Sequence, residues 1–225
     1  RQRQMCIRDR MKDGHLAVIH DASLKRTAGA DVLVEDLTAE ELRQYTLEGT
    51  EYHIPLLEEV LPIFAGKAPL IVELKAEQGN AEALAAAACK LLDKYKVDYC
   101  VESFDPRCLM WLWQNRPDVV RGQLSENFAR HGDGKDLPGA VRWVLSNLLL
   151  NCRTRPAFIA YRFEDRDSLS LKLCRSLYGA QEFSWTIRSR EDMAAAEEAG
   201  ASESELALLA EEEPDPAEFG FYLPG

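Results

Sequence analysis

Pro69-Leu70-Ile71-Val72-Glu73-Leu74-Lys75 is the stretch on which the fold turns. Leu70 to Leu74 is short and apolar on both faces, which suits a strand of a parallel sheet covered by helices. The residues after Lys75 fit that reading. Asn80 is placed to cap an alanine-rich helix running to Tyr95, and Val97 to Ser103 reads as the next strand. Strand, helix and strand in this order make one crossover unit of an α/β fold.

Working outward, the same rhythm recurs. Asp105 caps a helix to Asn115 with Pro106 at its first position, and Val119 to Leu124 is a strand. Ala140 to Leu150 reads as a helix, buried from Val144 onward, and Ala157 to Tyr161 as a strand. A helix opened by Asp167 or Ser168 runs to Tyr178. Glu182 to Ile187 is a strand, and Ser189 caps a helix ending at Gly200. Toward the front, Leu16 to Ile19 follows an Asp13-Gly14 turn as a strand. Thr38 and Glu41 form a capping box for a helix over 39–45. A short helix follows Pro55, with Leu57, Val60 and Leu61 on one face. Two architectures suit this pattern, a closed eight-stranded barrel and an open doubly wound sheet. No glycine-rich phosphate loop follows any strand, which disfavours the nucleotide-binding open sheet.

Composition bounds the rest. The chain has 225 residues, slightly short of the roughly 250 of a complete barrel. Its formal net charge of -11 argues against nucleic acid or anionic lipid as partners. A phosphate-bearing small molecule stays open, because a metal ion and one or two cations bind phosphate locally. No apolar run approaches the roughly 20 residues of a membrane span. Six cysteines without a C-x-x-C pair disfavour zinc, and point to free, mostly buried thiols in a reducing, cytoplasmic setting. Arg1–Arg10 has no apolar periodicity and no following apolar run of a signal peptide. Ala201 to Gly225 opens on an acidic stretch containing Glu211-Glu212-Glu213.

In an alternating barrel the chemistry sits at the C-terminal strand ends. There the chain offers His20-Asp21, Glu73-Leu74-Lys75, Ser103-Phe104, Gln123, Tyr161-Arg162 and Trp185-Thr186. His20 suits proton transfer near neutral pH, and its alternative is a turn cap. Glu73 and Lys75 share one side of their strand. A carboxylate inside so apolar a strand is costly unless paired or metal-bound. Trp185 reads as core or as an aromatic wall. His131 reads as solvated loop, and His15 and His53 as surface or loop positions.

These motifs resemble one family in order. Lys12-Asp13-Gly14-His15-Leu16-Ala17-Val18-Ile19-His20-Asp21, with Leu24 and Arg26-Thr27, is similar to the glycerophosphodiester phosphodiesterase signature "T-x-D-G-x-x-V-x-H-D-x-x-L-x-R-T". Ile54-Pro55-Leu56-Leu57-Glu58-Glu59-Val60-Leu61 resembles its "I-P-T-L-E-E-V-L", and Glu73-Leu74-Lys75 its "E-L-K". The resemblance implies a TIM-type (β/α) barrel and metal-dependent hydrolysis of glycerophosphodiesters to glycerol 3-phosphate and an alcohol. It implies calcium or magnesium with Glu73 as ligand, His20 as one of two acid–base histidines, and Lys75 on the phosphate. Phe104 and Trp185 would line the glycerol side. A barrel used as a binding or regulatory module without catalysis is the alternative.

The departures lie at the ends. The family's His-Arg-Gly strand and "P-E-N-T" helix have no match in this chain. In this register its E-x-D ligand pair falls on Met5 and Ile7, which cannot bind a hard cation. The last strand of the family is not matched after Gly200. The expectation is therefore an incomplete barrel over residues 11–200, with first and last strands missing or altered. A non-matching, non-native leader over 1–10 and an acidic tail over 201–225 flank it. The activity of the chain as given is expected to be impaired.

Overall fold

A computed structural model describes residues 3–77, 79–131, 134, 136–187, 189–192 and 194. Seven strands form one sheet in the order β2-β1-β3-β4-β5-β6-β7. They are β1 (Arg3–Arg10), β2 (Leu16–Val18), β3 (Leu70–Lys75), β4 (Tyr99–Ser103), β5 (Arg121–Ser125), β6 (Phe158–Arg162) and β7 (Gln181–Trp185). All neighbours are parallel except β1 and β2, which form an antiparallel hairpin. Six parallel strands thus follow the course of a barrel that uses eight. Among the described residues β7 pairs only with β6, so the ring is open.

The helices are α1 (Lys25–Ala28), α2 (Ala39–Leu42), α3 (Leu57–Phe64), α4 (Ala81–Tyr95), α5 (Pro106–Asn115), α6 (Gly139–Ser146), α7 (Asn151–Thr154) and α8 (Leu169–Tyr178). Their signals act largely as read. Thr38 and Glu41 exchange both capping-box bonds, and Asp105 Oδ1 accepts from Arg107 N at 2.8 Å. Ser189 Oγ accepts from Asp192 N at 3.0 Å, while the rest of that helix and the segment after Gly200 lie outside the described residues. Asn80 stands at the cap of α4 but turns its Oδ1 back to Glu77 N, so it braces the preceding loop instead.

Two readings need correction. The first is Arg1–Arg10, which showed no periodicity. Its residues 3–10 form β1, paired in register with β3 from Arg3↔Leu70 to Arg8↔Lys75. This is the strand on which the E-x-D positions fall, so the segment belongs to the sheet with altered residue content, while the family's His-Arg-Gly strand has no counterpart among the described residues. Backbone pairing asks only for an extended segment, and Met5 and Ile7 supply the apolar outer face. The second is the helix expected over 140–150. It ends at Ser146 and contains no fully buried residue. Asn147 Nδ2 donates to Trp143 O, and Leu148 takes a φ of 55°, which breaks the helix before α7.

The main core lies between the sheet and α3, α4 and α5. Met5, Ile7, Val72, Leu74 and Val101 face Leu57, Leu61, Leu84, Leu92, Leu109 and Leu112. A second cluster around Leu24, Val34, Leu42 and Leu56 holds the segment between β2 and α3. The opposite face of the sheet is the barrel interior. Leu124, Phe158 and Ala160 are buried there, with Phe104, Phe183 and Trp185 against them. At Gly122 an added Cβ would lie 2.0 Å from the Phe158 ring, so glycine is what lets that ring cross β5.

Candidate active site at the barrel mouth

β3 decides the centre of the site. Side chains alternate across a strand, so Val72 and Leu74 enter the core while Glu73 and Lys75 enter the barrel. Glu73 is 4% exposed. Its cost is offset by Lys75, whose Nζ lies 2.7 Å from Glu73 Oε1. Cys6 donates its thiol to Glu73 Oε2 at 3.0 Å. Burial, and then the neighbouring Glu73 charge, push the Cys6 thiol far above its ordinary range, so it stays protonated.

The β2 hairpin brings His20 to the same place. Lys75 Nζ is 3.2 Å from His20 Nε2, and His20 Nδ1 is 2.8 Å from Asp21 Oδ1. Asp21 also accepts from Arg26 Nε at 2.6 Å, and that bond, ahead of the one from His20, holds its carboxyl down at about 2. An ionised Asp21 favours the tautomer with hydrogen on Nδ1, which leaves the Nε2 lone pair facing Lys75. The structure thus joins His20, Glu73 and Lys75 in one chain of contacts.

Phe104 and Trp185 form a separate wall. Their ring centres are 5.5 Å apart at 87°, and Phe104 meets Phe128 edge-on at 6.1 Å. Trp185 Nε1 donates to Ala160 O, and the Arg162 guanidinium stacks 5.7 Å from the Trp185 ring centre. Trp185 is therefore both held by the barrel and part of its lining. Gln123 points away from the barrel and donates to Ser103 O and Phe104 O, a bracing role.

Three interior residues escaped the sequence reading. Glu102 is 0% exposed and lies beside Glu73 in the β3–β4 register. Glu102, like Glu73, is a carboxylate inside a largely apolar strand. Glu126 is fully buried and accepts from Arg162 Nη1 at 2.9 Å. Cys6 stands in register with Glu73, while Met5 and Ile7 pair with Val72 and Leu74 on the outer face. His131 is not a solvated loop residue either. Its Nε2 lies 2.9 Å from Asp165 Oδ2, and Asp165 is buried.

The donor set can be tested against a divalent cation. Calcium or magnesium takes about six or more oxygens, several of them charged. The interior supplies Glu73, Glu102 and Glu126, but Glu73 is engaged by an ammonium and by a protonated thiol, and Glu126 by the Arg162 guanidinium. Among the described residues no group of three His, Cys, Asp or Glu side chains converges as a metal site. This arrangement does not fit a tight site for a hard cation.

The glycerophosphoryl diester phosphodiesterase family matches residues 10–202. The chain belongs to that family. A glycerophosphodiester phosphodiesterase of Bacillus altitudinis is 40% identical over 70 residues, 28% of this chain and 29% of that protein. A lysophospholipase D of Rattus norvegicus is 34% identical over 100 residues, 39% of this chain and 31% of that protein. The matched stretches thus span under a third of the length of either curated relative. Among solved structures, an Oleispira antarctica phosphodiesterase in complex with sn-glycerol-3-phosphate aligns with a TM-score of 0.71 at 21% identity. The alignment covers 88% of this chain and 77% of that one. A glycerophosphodiester phosphodiesterase from Parabacteroides distasonis aligns with a TM-score of 0.68 at 18% identity, over 88% and 76% of the two chains. These likenesses establish the barrel fold. No described helix of this family member is long and apolar enough to cross a membrane.

Proposed function

We propose that the barrel mouth binds a glycerophosphodiester and is laid out for its hydrolysis to glycerol 3-phosphate and an alcohol. The observation that carries this reading is the placement of Lys75 between Glu73 and His20, at 2.7 and 3.2 Å. An ammonium there meets a non-bridging phosphate oxygen. Water attacks phosphorus and the bond from phosphorus to the alcohol oxygen breaks. His20 Nε2 takes the proton from the water, with Asp21 holding Nδ1 and stabilising the imidazolium. Solvent protonates the departing alkoxide. Phe104 and Trp185 wall the glycerol side. In a relative with a full set of carboxylates, calcium or magnesium would add charge stabilisation at the phosphoryl group. In this chain the residues do not fit that role, so no step is assigned to it.

Cys6, a protonated thiol facing Glu73, favours a second reading for the chain as given, a barrel that binds without turning over. We assign residues 3–200 to the barrel domain, in place of the expected 11–200 because β1 is part of its sheet, and 201–225 to an acidic tail. The six free cysteines support a reducing, cytoplasmic setting. One experiment separates the readings. Glycerol 3-phosphate binding and release from glycerophosphocholine are measured with and without calcium or magnesium. Expected are binding weakened by Lys75→Met or His20→Asn, and little or no release. Binding indifferent to both variants overturns the mouth as the site. Substantial metal-dependent release overturns the shortage of ligands.

A further inference from the structure

On the far side of β6 from the barrel interior lies a cavity of about 690 Å³, between α6 and the turn that precedes α8. That volume suits a small-molecule ligand, typically bound in about 300–1,000 Å³. Its charges are unevenly satisfied. Asp165 accepts from Asn127 N and is paired with Arg130 and His131. Glu164 is paired with Arg162, and Asp167 with Lys172. Among the described residues, every carboxylate of the wall is thus already matched by a cation. Arg142 is the exception. Its Nε is buried with no hydrogen-bond partner, and among the described residues its guanidinium makes no ion pair.

An arginine in a cavity wall whose guanidinium makes no ion pair has a matching ligand chemistry. Its planar fork suits an oxyanion, phosphate or carboxylate. Beyond Arg142 the wall presents the Ser146 and Ser168 hydroxyls and the Trp143 ring, while the Asn147 amide is held by Trp143 O and Ser170 Oγ. Trp143 is 62% exposed, an uncommon place for so large an apolar surface. Hydroxyls suit a hydroxylated ligand, and an indole face suits the apolar face of a ring. We propose that this cavity binds a small anionic polyol, a sugar phosphate or sugar acid, with its oxyanion on Arg142 and its ring against Trp143. The site is distinct from the barrel mouth and stands whether or not the mouth hydrolyses a diester.

The full chain is titrated with myo-inositol 1-phosphate, with glucuronate and with uncharged myo-inositol, reading tryptophan fluorescence and calorimetric heat. Expected is saturable binding of at least one charged probe, and binding of myo-inositol at least roughly 10-fold weaker, the scale of one charge-assisted hydrogen bond. Which charged probe binds tells phosphate from carboxylate. Arg142→Gln weakens that binding roughly 10-fold or more, and Trp143→Ala removes most of the fluorescence change. His20→Asn, in the barrel mouth, leaves both unaltered. Both cavity side chains are partly exposed, so unaltered melting temperatures verify that the variants fold. Equal binding of myo-inositol, or binding that falls with His20→Asn and not with Arg142→Gln, overturns the proposal. So does the absence of binding by either charged probe.

Discussion

Lys75 Nζ lies 2.7 Å from Glu73 Oε1, and the two side chains are only 12% and 6% exposed. They sit two positions apart on β3, and both enter the barrel. A buried ion pair adds little net stability over an apolar pair, but removing one partner strands the other charge. Lys75→Met should therefore destabilise the fold by about 3–5 kcal/mol. Glu73→Gln with Lys75→Met should recover much of that loss, because no charge is left unmatched. Urea denaturation of the single and double variants checks this. A double variant no more stable than Lys75→Met would mean that the lysine acts through packing alone.

Asp21 gives the fold an acid-sensitive corner. Its carboxyl falls from 3.8 to about 2, chiefly through Arg26. A carboxylate with a depressed folded-state pKa contributes stability above its unfolded value. That contribution is lost as pH falls from about 4 toward about 2. Asp21→Asn should flatten this limb of the stability curve and leave the neutral region parallel to the parent. Stability measured at half-unit steps from pH 2 to pH 6 decides it. An unaltered acid limb would assign the loss to other carboxylates.

Much of this was legible from residues 16 to 185, and the physical reasons are specific. The β3 and β4 strands carry apolar residues on both faces, and Thr38, Asp105 and Ser189 carry local capping chemistry. His20, Glu73 and Lys75 could be placed together because strand ends converge in an alternating barrel. What escaped was non-local. Arg3–Arg10 is a strand because β3 offers it a free edge, which no periodicity within the segment announces. Glu102 faces Glu73 only through strand register. The E-x-D comparison fell on Met5 and Ile7, whereas the pleat turns Cys6 toward Glu73. His131 finds Asp165 across 34 residues of chain.

Gly122 is a test of the interior. A methyl group there meets the Phe158 ring at 2.0 Å, far inside contact distance. Phe158 lies edge-on to Phe183, 5.0 Å between ring centres, so it has limited room to retreat. Gly122→Ala should cost about 1–3 kcal/mol by overpacking. Adding Phe158→Leu should relieve part of that cost, because the smaller side chain makes room for the methyl. Thermal melts of the single and double variants give the comparison. An Ala variant as stable as the parent would show that the ring is free to swing aside.

Cys6 offers the sharpest test of the metal question. Its protonated thiol donates to Glu73, and Glu102 lies on the neighbouring strand. Cys6→Asp would place a third carboxylate beside those two, with Lys75 as compensation. Without a cation, like charges at this distance repel and the fold should weaken. With calcium the same three carboxylates become an oxygen-rich set of the kind a hard cation needs. The variant should melt below the parent in chelator and recover as calcium rises. A ligand at 100 times its Kd stabilises by about 2.7 kcal/mol, or roughly 5–10 °C for a chain of this size. The parent should show no such response. If the variant melts at the same temperature with and without calcium, Glu73 and Glu102 do not converge on a cation, and the reading of β1 as the altered ligand strand falls.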